Sequence, residues 1–151
     1  MFGLFKKAAG AAFSAGSAEV KAKYQGNKDY LEAVCAAAAL VAAADGDIED
    51  SEIKQTKELI SSNDMLSSIY KTDEIDKVLE NYLRKAKTNY GRQALERELA
   101  DVKNDPTKAQ DVFAMAVDVS QADGEMEPQE IVVLKKVAKI LSVNAADFGV
   151  Q

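Results

Sequence analysis

Two stretches decide how this chain is read: Ala44-Asp45-Gly46-Asp47-Ile48-Glu49-Asp50-Ser51-Glu52-Ile53 and, 78 residues later, Ala122-Asp123-Gly124-Glu125-Met126-Glu127-Pro128-Gln129-Glu130-Ile131. Each crowds at least four carboxylates between two apolar-periodic segments. Like charges held that close repel unless something cationic relieves them. Asp45, Asp47, Glu49 and Glu52 in one copy, and Asp123, Glu125, Glu127 and Glu130 in the other, are therefore candidate ligands for a divalent cation. Ca²⁺ and Mg²⁺ are the cations that take oxygen donors of this kind. The pattern is not an EF-hand, because Gly stands second instead of sixth, and Thr56 and Leu134 stand where the twelfth-position Glu would be.

The flanks of each phrase predict a helix–turn–helix. Leu31, Val34, Ala38 and Val41 mark one face of a helix running to Asp45-Gly46, with Gly46 suited to the left-handed position just past its end. The next helix opens with Glu49 as cap, Glu52 at its third position and Ile48 with Ile53 as a hydrophobic staple. The second copy repeats this with Met126 and Ile131 as staple, Glu127 as cap, Pro128 first in the helix and Glu130 third. Val34, Val41, Ile53 and Lys57 correspond to Val112, Val119, Ile131 and Lys135, so the repeat reaches about 30 residues per copy. Capping accounts for about half of the acidic residues. Asp45, Asp47, Asp123 and Glu125 precede the helix starts, and that surplus carries the cation reading.

Between the copies, Thr72-Asp73-Glu74 opens a helix with the stripe Ile75, Val78, Leu79, Tyr82, Leu83 and Ala86. Another covers Ala94, Leu95, Leu99 and Val102, and Asp105-Pro106 separates it from the next. No segment alternates with period two, so no sheet is expected. The expectation is an all-α, single-domain bundle with an internal two-fold helix-hairpin repeat, spanning residues 28–151. Residues 1–27 precede it as a basic, loosely amphipathic N-terminal segment with Phe2, Leu4, Phe5 and Phe13, suited to a membrane surface or a partner.

Charge and composition remove whole classes of function. The chain of 151 residues carries a net charge of −6, split into +4 over residues 1–28 and −10 over the remainder. An acidic body does not suit nucleic acid, whose binding rests on Lys and Arg neutralising phosphates. Histidine is absent, which removes the commonest general base and zinc ligand. The lone Cys35, inside Ala33-Val34-Cys35-Ala36-Ala37, reads as a small core residue rather than a redox centre. The longest apolar run, 12 residues from Ala33 to Ala44, falls short of the roughly 20 that cross a bilayer. Secretion is disfavoured, because Ala8 to Ala18 is too rich in Gly and Ser for a signal-peptide core. A hydrolase built on paired carboxylates would need one of them in an apolar pocket, and nothing in these loops suggests one.

The duplicated Ala-Asp-Gly with its acidic helix start, the basic leader, the middle helices and the closing Asp147-Phe148-Gly149 together resemble the TerB family of tellurite-resistance proteins. The resemblance implies about seven helices, a cytoplasmic protein close to the inner membrane, and a role in resistance to tellurite and related stress, with an association to phage defence. It also implies TerC-like membrane proteins and other Ter products as partners, peripheral membrane contact, and no enzymatic activity. Metal binding by acidic residues is proposed for the family, and it carries over here to the eight carboxylates named above. The alternative is a metal-free protein-interaction scaffold, using the acidic loops and a basic patch at residues 84–103 (Arg84, Lys85, Lys87, Arg92, Arg97, Lys103). An acidic surface repels an oxyanion, so direct capture of tellurite would fall to that patch.

Overall fold

Alanine-rich sequence between Asp29 and Ala42 forms helix α1, and every side chain on it is buried except the exposed Asp29 and the half-buried Glu32. A helix apolar around its whole circumference belongs inside a bundle. The expected one-sided stripe is thus corrected: alanine, small enough to let neighbours approach from every direction, turns all faces of α1 into core. In the computed structural model, which describes residues 28–122 and 124–150, the order continues with α2 (Asp50–Ser61), α3 (Asp64–Ile69), α4 (Thr72–Lys85), α5 (Asn89–Ala100), α6 (Pro106–Ser120) and α7 (Pro128–Leu141). A 3₁₀ turn, Ala145–Phe148, closes the described chain. Seven α-helices and no strand occur among the described residues, as the all-α reading expects. The basic segment 1–27 lies outside them.

Helix α1 packs against α4, α5 and α6, and α7 lies against α5 and α6. Ile75, Leu79, Tyr82, Leu83, Leu95, Leu99, Val112, Phe113, Leu134, Val137 and Leu141 converge with it in one core. The 3₁₀ turn docks through an edge-on contact of Phe148 with Phe113, their centroids 5.1 Å apart. Burial also decides Cys35: apolar surroundings first, then the negative charge of Glu32 and Asp76, push its thiol far above the ordinary range, so it stays unreactive.

Helices α2 and α7 begin 78 residues apart, each with a capping box. The Glu49 amide donates to Glu52 Oε1 at 3.3 Å, and the Glu127 amide to Glu130 Oε1 at 2.8 Å. Ile48, Ile53, Met126 and Ile131 are half-buried against the core, where the staples put them. Asp105 caps α6 by accepting from the Lys108 amide at 3.2 Å, with Pro106 opening the helix. One expectation fails: α1 ends at Ala42 with Ala43 as its cap, so Gly46 is not the residue just past the helix. Its φ of 89° serves the following turn, in which the Gly46 amide donates to the Ala43 carbonyl at 3.0 Å.

Candidate metal centre

The end of α1 and the starts of α2 and α7 meet around a cleft of about 380 Å³. Val41 and Ala42 contribute apolar surface to it, Asp45, Glu49 and Glu52 line it from the first hairpin, and Glu127 and Glu130 from the second. Five of the eight candidate carboxylates therefore share one space. Asp47 and Glu125 are exposed and do not line the cleft, while Asp123 lies outside the described residues. Among the described residues, no three His, Cys, Asp or Glu side chains form a group that could hold a metal ion.

Helix dipoles decide how much of this charge is already compensated. Each helix start carries roughly +0.5 of an elementary charge and each helix end roughly −0.5, so two starts and one end leave about +0.5. Against five carboxylates that is a minor offset. Local bonding absorbs part of the donor capacity. One oxygen each of Glu52 and Glu130 accepts a cap amide. Asp45 Oδ1 accepts from the Asp47 amide at 3.1 Å, a local side-chain turn that gives Asp45 a structural task which capping alone did not supply.

Sequence reasoning missed Ser51 and Gln55, both of which line the cleft. Gln55 stands three residues beyond Glu52, on the same face of α2. Its amide oxygen is a donor type that hard cations accept. That spacing was the available signal. Chemically the donor set is all oxygen, with no imidazole and no thiolate, and so fits Ca²⁺ or Mg²⁺ rather than zinc or copper.

With seven α-helices and no strand among the described residues, the protein is of the all-α class. Residues 31–150 match the family described as tellurite resistance protein TerB, and the chain belongs to that family. No curated protein and no solved structure matches it. No helix among the described residues is long and apolar enough to cross a membrane.

Proposed function

We propose that this is a non-enzymatic member of the tellurite and stress-resistance system whose two acidic hairpins bind a divalent cation, Ca²⁺ or Mg²⁺, in their shared cleft. The observation that carries the reading is the meeting of Asp45, Glu49, Glu52, Glu127 and Glu130 around one space of about 380 Å³. Glu49 and Glu127 are exposed at its rim, and each has two carboxylate oxygens, one of which serves its capping box. Ser51 and Gln55 supply neutral oxygens. The cation joins the two hairpins without chemistry of its own, setting the angle between α2 and α7 and hence the surface offered to TerC-like membrane partners and other Ter proteins. A cytoplasmic site of action near the inner membrane and a part in phage defence belong to the same reading. Tellurite itself is not the ligand of this cleft, since like charges repel.

Calorimetric titration of the full chain with Ca²⁺ and with Mg²⁺ tests this. Saturable binding to the wild type should fall at least about tenfold in Glu49→Gln/Glu127→Gln, whose side-chain amide oxygens still accept the Glu52 and Glu130 backbone amides of the capping boxes. Absence of heat and of any rise in melting temperature at millimolar metal contradicts it. The second reading, a metal-free scaffold that takes a lysine-rich partner segment into the same cleft, is favoured by the lack of a metal-holding trio among the described residues. It predicts binding of an oligolysine peptide that persists in chelator.

A further inference from the structure

Beside the Asp45-Gly46 turn lies a second and larger depression, about 810 Å³ in volume. Two helix faces run along it. Asn89, Arg92, Gln93 and Glu96 present the three- and four-residue spacing of one face of α5, and Val132, Val133, Lys136, Val137 and Ile140 that of α7. Leu40, Ala43, Ala44 and Gly46 add surface from the end of α1 and its turn, and Lys87 stands in the α4–α5 connection. Each face spans about two helical turns, roughly 11 Å. Val132 is 68% exposed here, one of two large hydrophobic side chains so exposed among the described residues.

The charge of this groove is opposite to that of the chain. Lys87, Arg92 and Lys136 line it against a single carboxylate, Glu96, which already pairs with Lys136 at 2.9 Å. Arg92 is held in place by donating to the Ala86 carbonyl at 2.7 Å and to the Asn89 side chain. We propose that this groove docks an amphipathic helix of a partner protein, its apolar stripe against Val132, Val133 and Ile140 and its flanking carboxylates against Lys87 and Arg92. A groove with an apolar wall from α7 and a polar, cationic wall from α5, open on one side, fits an occupant with one apolar and one acidic face. The other occupants fit less well. Residues 1–28 carry five lysines, so the chain's own leader meets like charge. A second copy docking through the same face would set its own Lys87, Arg92 and Lys136 against this cationic rim, so like charges would meet. This inference does not depend on cation binding in the acidic cleft.

The test is fluorescence anisotropy of the full chain with three labelled 16-residue helical peptides. One carries a leucine stripe flanked by glutamates, one the same stripe flanked by lysines, and one glutamates with the stripe scrambled. The acidic amphipathic peptide should bind and the other two should bind at least about tenfold more weakly. Val132→Asp should weaken the acidic peptide by about tenfold or more, and Lys87→Glu by roughly threefold, each with an unchanged melting temperature. Several results would overturn the proposal. They are no binding of the acidic peptide at millimolar concentration, equal binding of the lysine peptide, indifference to both substitutions, self-association abolished by Val132→Asp, and sedimentation with anionic vesicles lost in those variants in place of peptide binding.

Discussion

Gly91 sits inside α5, where a glycine normally only weakens a helix. Its reason is contact: a Cβ at this position would stand 1.8 Å from the backbone carbonyl oxygen of Lys85, at the end of α4. That approach is invisible in sequence, because it depends on how the Ala86–Thr88 turn returns the chain. Gly91→Ala should therefore destabilise the protein by about 2 kcal/mol or more, measured by urea denaturation, despite the better helix propensity of alanine. Asp111 is the other residue whose behaviour only the fold determines. Burial, and then the charge of Asp105, raise its carboxyl to about 7, so the folded chain favours the protonated form. An unfolded aspartate titrates near 3.9, so this group's contribution is whole below that pH and is lost as pH rises through 7. Asp111→Asn should leave the melting temperature nearly unchanged at pH 4 and raise stability by about 2 kcal/mol at pH 8.

Helix starts were legible because their side chains bond locally. Glu49 with Glu52, Glu127 with Glu130 and Asp105 with Pro106 each mark a boundary that depends on three or four consecutive residues. Helix ends and short helices were not. The six residues of α3 are too few to display a period, although Asn63, which caps it by accepting from the Leu66 amide at 3.0 Å, carried a usable signal. The end of α1 was misplaced for a related reason. Ala43 and Ala44 would continue a helix as readily as they leave one, so the left-handed glycine was taken as the stop although it lies in the turn beyond. Since the two caps are bonded alike, Glu52→Ala and Glu130→Ala should each cost about 1 kcal/mol by thermal or chemical denaturation. Together they should add nearly independently if each acts only on its own helix, and depart from additivity by more than about 0.5 kcal/mol if the cleft couples them.

At the scale of the whole molecule, the turn after α1 divides two surfaces of opposite sign. Asp45 faces the acidic cleft, while Ala44 and Gly46 line the basic groove beside α5 and α7. The repeated acidic phrase was legible in the sequence, but which of its carboxylates face each other was not. Asp47 and Glu125 share the phrase but are exposed and do not line the cleft. The basic groove was legible only as the patch over residues 84–103. Lys136, Val132 and Ile140 come from α7, some forty residues away in sequence, and only packing joins them to Lys87 and Arg92. The central proposal is that a bound cation joins the carboxylates that line the acidic cleft. The direct measurement is an amide chemical-shift titration of the isotope-labelled full chain with Ca²⁺ and Mg²⁺. Saturating shifts concentrated at residues 45–55 and 124–130 and abolished in Glu49→Gln/Glu127→Gln are the predicted result, and unmoved amides there at millimolar metal would contradict it.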